Sequence, residues 1–400
     1  MTPSIGTVAP PTAARLTPAG RGAVATVRIC GIAHDLQARE IDPALPNFER
    51  LNRLFHAANG LRLVEQPSGK IAFGQWGLAD AEDLVVCRTA PDAMEIHCHG
   101  GEAAVRRVLD DLANAGCRVV EWFDQVVDNS GLIDAECQLV LSRTSTWRTT
   151  KFALQQASGL LKNSFQQFVD FENRSVESLV EAVDRLLEWS DFGLHLSTPW
   201  NVVLTGRPNV GKSSLINALL GYQRAIVFDQ PGTTRDVVTG ETAFDGWPVV
   251  LADTAGLRDA DAGLEAAGIE LARERLRSAD LRLVLLDVSQ VPTAQDEQIL
   301  AEWPDSLVVG HKADLENRWG SRLPRDAILV SSVTNAGLSD LQRVLVNRLV
   351  PKVPMAGSPI PVTIRQVEAL RVIRAAATAD ERREGVERLI YGTLNPDREG

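Results

Sequence analysis

Between Arg21 and Trp122 apolar residues come in short runs, "AVATVRI", "KIAFGQW", "DLVVCRT", "AMEIHCH" and "CRVVEW", separated by Gly and Pro. One helical stretch, "GEAAVRRVLDDLANAG", precedes the last run, and this order predicts a small α+β domain. The period then changes. Val176, Leu179, Val180, Val183 and Leu187 recur at i, i+3, i+4, i+7 and i+11, and Ser175 stands before them as an N-cap, so a helix is expected there. From "NVVLTG" onward the runs "PVVLADT", "LRLVLLDV" and "SLVVGHK" alternate with helical stretches, the pattern of a parallel α/β sheet. A last helical stretch, "RQVEALRVIRAAATADERREGVERLI", follows Pro354. Helical patterns on both sides of the α/β region predict that it is inserted into a helical domain. The expected layout is an α+β domain over 1–122, a helical domain over 123–198 plus 352–400, and an α/β domain over 199–351.

Composition changes this picture little. Hydrophobic residues make up 44% and charged residues 23% of 400 positions, ordinary globular usage. The first residues lack the apolar run of a signal peptide, and no stretch approaches the ~20 apolar residues of a membrane span. A cytoplasmic protein without a membrane partner is therefore expected. Five cysteines, Cys30, Cys87, Cys98, Cys117 and Cys137, show no C-x-x-C spacing, so free thiols are expected. The net charge of −11, 41 basic against 52 acidic residues, disfavours a broad nonspecific grip on nucleic acid.

The candidate chemistry lies in the α/β region. "GRPNVGKSSL", Gly206 to Leu215, joins a strand to a helix and fits the Gly-x-x-x-x-Gly-Lys-Ser phosphate loop. Backbone N–H groups of Asn209, Val210 and Gly211 and the helix N-terminus, with Lys212, Ser213 and Ser214, would converge on phosphate, and Ser213 would bind Mg²⁺. Some 40 residues on, Asp253-Thr254-Ala255-Gly256 ends a strand. There Asp253 would hold the metal's water shell and the N–H of Gly256 would meet the terminal phosphate. Thr233 and Thr234 in "PGTTRD" could complete the metal shell. His311, Lys312 and Asp314 in "HKAD", with Ser331 and Ser332 in "SSVTNAG", stand at the ends of two later strands, where a doubly wound sheet places its ligands. A carboxylate at Asp314 accepts two guanine donors that adenine lacks, so guanine is preferred. An Asn at 311 would have bridged the base edge to the phosphate loop; with His there, weakened affinity is expected, and His311→Asn would tighten GTP by about 1 kcal/mol.

These residues, with "RGAVATVRICG", "MEIHCHGGEA", "AIVFDQPGTTRD" and "DTAGLRDADAGLEAAGIELA", make the chain resemble the tRNA-modification GTPase family MnmE, also called TrmE. The resemblance implies a GTP-hydrolysing enzyme with GTP and GDP as its nucleotides. It implies Mg²⁺ at Ser213 and Thr234, and K⁺ at Asn209 and Thr233 with the carbonyls of Phe228 and Gln230. It further implies that Glu265 orients the attacking water. It also implies self-association as a homodimer through the N-terminal domain, and modification of wobble uridine in tRNA with an MnmG-type flavoprotein. "HCHG" is expected to be structural, since two histidines alone do not make a zinc site.

The departures are equally specific. The family ends in a Cys-x-Gly-Lys-x-Cys tail, whereas this sequence ends "YGTLNPDREG". Of the family's contacts to a tetrahydrofolate derivative only Arg28 is matched, with Pro91 in place of a Glu and Asn129 in place of a Lys. Folate binding and autonomous tRNA modification are accordingly not expected. Two rival readings follow: a regulatory or assembly GTPase that no longer modifies tRNA, and a nucleotide-binding scaffold with a degraded site.

Overall fold

The computed structural model describes residues 10–20, 22–32, 51–77, 81–169, 175–222, 239–253 and 273–392. The chain divides into two compact units, Met1–Glu136 and Cys137–Gly400.

The first unit is built on a seven-stranded sheet in the order β3-β4-β5-β6-β2-β1-β7. Its strands are β1 Thr12–Arg15, β2 Val24–Cys30, β3 Phe55–Ala57, β4 Ile71–Trp76, β5 Glu82–Ala90, β6 Ala93–His99 and β7 Arg118–Val119. Alternation decides which face is the core: Ala25, Val27 and Ile29 of β2 and Met94, Ile96 and Cys98 of β6 are buried. The helix Glu102–Asn114 packs Val105, Val108 and Leu112 into the same cluster. The indole of Trp76, fully buried, donates to Asp111 Oδ2 of that helix at 3.0 Å. A Cβ at Gly100 would lie 2.0 Å from the carbonyl of Gly22, so "HCHGG" carries a glycine for close backbone approach. The first compact unit runs on past residue 122 to Glu136. Gln125 in the helix Trp122–Ser130 donates from Nε2 to the carbonyls of Thr12 at 3.0 Å and Arg28 at 3.2 Å, which ties that helix to β1 and β2.

The second unit holds a six-stranded sheet in the order β13-β12-β11-β8-β10-β9. The strands are β8 Trp200–Thr205, β9 Thr239–Phe244, β10 Trp247–Asp253, β11 Leu281–Asp287, β12 Leu307–His311 and β13 Ile328–Val330. All pairs are parallel except the β9–β10 hairpin. Val202 to Leu204 and Leu283 to Leu286 are buried in unbroken runs, as expected of parallel strands covered on both faces. The hairpin turns at Asp245 and Gly246, whose φ angles of 48° and 76° suit a two-residue type I′ turn.

Helices before and after this sheet pack on each other. Val176–Leu187 lies against Ile364–Ala375, with an ion pair between Asp184 and Arg374. Ser175 caps the first of these from its side chain, as expected, accepting from Ser178 N. Its buried face is Leu179, Val183 and Leu186, with Val180 and Leu187 half-buried beside it and Val176, at the first turn, exposed. Gln156, 1% exposed, accepts from Ile360 N at 3.1 Å and donates to Ser358 O at 3.2 Å, joining the segment before the sheet to the chain that returns after it.

Candidate functional site

The site is assembled at the carboxyl ends of the parallel strands. β8 ends at Thr205, the loop 206–211 follows, and the helix Lys212–Tyr222 begins. Gly206, Asn209 and Gly211 have φ of 152°, 63° and 98°, the backbone turns that aim successive N–H groups inward. Lys212 is buried, its Nζ donating to the carbonyls of Gly206 at 3.3 Å and Arg207 at 3.2 Å. Ser213 Oγ donates to Asp253 Oδ2 at 2.9 Å. A hydroxyl and a carboxylate, both hard oxygen donors, thus meet at the helix N-terminus, a pair suited to Mg²⁺ and its water shell.

The base side of the site is bolted to this loop. His311 is 3% exposed. Its Nδ1 lies 2.8 Å from the carbonyl of Val210, and its Nε2 lies 2.7 Å from Ser332 Oγ. A carbonyl can only accept, so Nδ1 carries the proton and the Ser332 hydroxyl donates to Nε2. Burial pushes His311 below the ordinary histidine value of 6.5. Of the bridge that an Asn would make from base edge to phosphate loop, His311 makes the loop half through its ring N–H. A Cβ at Gly211 would sit 2.4 Å from His311 Cε1, so the imidazole fills the space beside the loop. Lys312, at φ 64°, extends Nζ to the carbonyl of Asn209 at 3.3 Å and to Asp287 Oδ2 at 2.6 Å. Asp314 accepts from Ser331 Oγ at 2.6 Å, and this bond, the largest cause, holds its carboxyl below the ordinary range.

The expected residues Asn209, Val210, Gly211, Lys212, Ser213, Asp253, His311, Lys312, Asp314, Ser331 and Ser332 are therefore joined in one strand-end cluster, with Ser214 exposed on the first turn of the helix. Phe228, Gln230, Thr233, Thr234, Thr254, Ala255, Gly256 and Glu265 lie outside the described residues. Three residues outside the expected set border the site. Asp287 is a carboxylate closing a buried apolar strand, a signal that was legible. Asp296, fully buried, accepts from Arg207 Nε at 2.8 Å and closes a capping box on Thr293, legible as Thr-x-x-Asp. Asp296 thereby holds Arg207, the arginine of the phosphate loop. Val333, 82% exposed beside Ser332, is an apolar residue left open to solvent at the base side.

In the first unit, Arg28 donates from Nε at 3.1 Å and from Nη2 at 2.6 Å to Glu95 Oε1. Asn129 Nδ2 donates to the carbonyl of Gln125 at 2.7 Å. His97 Nδ1 lies 3.0 Å from Thr26 Oγ1 and His99 Nδ1 lies 2.9 Å from Glu82 Oε1; among the described residues no group of three metal-ligating side chains occurs. No described helix is long and apolar enough to cross a membrane.

A parallel sheet with a phosphate loop, a strand-end aspartate on the loop serine and an Asp-bearing base loop defines a P-loop GTPase, and the family model of the 50S ribosome-binding GTPase matches residues 201–311. The similarity extends beyond that region: the chain is 35% identical to the tRNA modification GTPase MnmE of Geobacillus kaustophilus (strain HTA426), covering 76% of this chain and 73% of that one. It is 30% identical to MnmE of Bacillus subtilis (strain 168), covering 83% of this chain and 81% of that one. The chain belongs to the tRNA modification GTPase MnmE family.

Proposed function

We propose that this chain is a GTP-hydrolysing switch acting in modification of the tRNA wobble uridine together with an MnmG-type flavoprotein. It would consist of three domains, with the GTPase domain inserted in the helical one, and pair as a homodimer through its N-terminal domain. The observation that carries the nucleotide reading is the Ser213–Asp253 contact set against the two bonds from His311 and Lys312 to the phosphate loop, a site held ready at both ends. A degraded scaffold would have no reason to keep both. Ser213 and Thr234 would hold Mg²⁺, which neutralises charge on the phosphates when bound. Asn209, Phe228, Gln230 and Thr233 would hold K⁺ in the same capacity. Arg207 is engaged by Asp296, so it is not free to serve as an arginine finger.

Leu257 follows the Asp-Thr-Ala-Gly stretch and, being apolar, cannot orient water; Glu265 is assigned that role. Glu265→Ala should leave GTP affinity nearly intact and lower hydrolysis by on the order of 10²-fold. Single-turnover assays in K⁺ and Na⁺ buffers test both assignments: a parental rate in the variant removes Glu265, and equal rates in the two salts remove K⁺. The cellular role is tested by complementing a strain that lacks its own family member and measuring modified wobble uridine. Pro91 and Asn129, standing where the family has a Glu and a Lys, favour, as a second reading, a regulatory GTPase without folate-linked chemistry, for which complementation would fail while hydrolysis persists.

A further inference from the structure

The base loop and the phosphate loop are tied by two consecutive donors reaching two consecutive carbonyls. His311 donates to Val210 O and Lys312 to Asn209 O. Each donor is itself held from behind, His311 by Ser332 and Lys312 by Asp287. The lysine needs this more. Its backbone stands at φ 64°, a left-handed conformation that a non-glycine residue holds only when its surroundings fix it, and its four-carbon stem would otherwise sample many rotamers.

Asp287 is built for the task. It closes strand β11, is 4% exposed, and has both oxygens engaged. Oδ1 accepts from Ser289 N at 3.0 Å and Ser289 Oγ at 2.6 Å, while Oδ2 accepts from Lys312 Nζ at 2.6 Å. Its own backbone is fixed as well, since Trp319 Nε1 donates to the Asp287 carbonyl at 2.9 Å. A carboxylate pinned at one oxygen by a turn and presented at the other is a rigid socket for an ammonium group.

We propose that Asp287 is a positioning residue for nucleotide binding: it fixes Lys312 across to the Asn209 carbonyl and so locks the base loop to the phosphate loop before nucleotide arrives. With its oxygens engaged by Ser289 and Lys312, it acts through Lys312. The inference rests on the GTP-binding reading of the site.

The test is a double-mutant cycle on the full chain, read as Kd for GDP by titration with a fluorescent GDP analogue. The isosteric Asp287→Asn should weaken binding about tenfold, the scale of one charge-assisted hydrogen bond. In a Lys312→Met background the same change should weaken it no further. A structural role unconnected with Lys312 would instead give the same loss in both backgrounds and overturn the proposal, as would a wild-type Kd in Asp287→Asn. Should Asp287→Asn fail to fold, Ser289→Ala frees the far oxygen while keeping the carboxylate. It should raise Kd about threefold with Lys312 present and leave it unchanged in the Lys312→Met background, and equal shifts in both overturn the proposal. Absence of GDP binding by the unaltered chain would overturn the nucleotide reading itself, an outcome distinct from loss of coupling.

Discussion

At the scale of the residue, His311 shows how one side chain replaces another by reproducing a contact. What the position requires is a donor aimed at the Val210 carbonyl, and the Nδ1–H tautomer meets it at 2.8 Å. His311→Asn should therefore change GTP affinity less than about threefold, since one hydrogen bond is exchanged for another of similar worth. The imidazole adds a pH dependence that an amide lacks. Its value in the folded chain is below the ordinary 6.5 because of burial, so below that pH the unfolded chain binds the proton more readily. The contribution of His311 to stability is complete above pH 6.5 and declines as pH falls through 6.5 toward the lower folded value. Thermal midpoints measured from about pH 8 to about pH 5.5 should fall less steeply in His311→Asn than in the parent; identical slopes would show that another group carries the effect.

Among elements, the β9–β10 hairpin has one end at the helices and the other at the nucleotide site. Its turn is gripped by the helix Trp147–Gln155 and the residue before it: Thr146 Oγ1 donates to Gly246 O at 2.7 Å and Arg148 Nη1 donates to Asp245 O at 2.6 Å. The Arg148 guanidinium lies 4.6 Å from the centre of the Trp247 ring. Phe152 and Phe192 meet the same ring at centroid distances of 6.2 and 5.4 Å. Six residues later the strand ends at Asp253, on Ser213. Trp247→Ala removes the shared aromatic partner and should destabilise the second unit by about 3–5 kcal/mol, as large-to-small core changes do. Because β10 runs unbroken from Trp247 to Asp253, nucleotide affinity should fall together with stability. Chemical denaturation with and without GDP measures both, and a destabilised variant with unaltered affinity would separate the hairpin's two ends.

At the scale of the whole chain, the two compact units are held by different means. The first buries one face of a sheet, antiparallel except for its β1–β7 pair, beneath a helix. The second binds its sheet to helices from before and after it, and Gln156 is the polar tie between those segments, with both its amide oxygen and nitrogen engaged by backbone of the returning chain. Gln156→Leu keeps the volume but leaves the Ile360 N–H and the Ser358 carbonyl without this partner. It should cost about 1–3 kcal/mol, the penalty of unmatched buried groups. Protease cutting within 351–361 should rise in parallel. Unchanged stability and cutting would mean that the apolar contacts of Ile360 and Val362 hold the return segment unaided.

The sequence by itself determined the local things. Short apolar runs marked the α+β domain, runs alternating with helical stretches the parallel sheet, Ser175 its helix, and the phosphate loop, Asp253 and the "HKAD" stretch the candidate chemistry, because spacing along a strand or a turn sets which groups lie side by side. What lay beyond it was every contact whose partners are far apart in the chain. That His311 still reaches Val210, that Asp287 holds Lys312, that Asp296 occupies Arg207 and that Glu95 occupies Arg28 depend on strand order in the two sheets. The sheet order β13-β12-β11-β8 brings the carboxyl ends of four separate strands to one edge. Which side chains then meet there is decided by register and rotamer, set by packing across the whole sheet and invisible to any window of sequence.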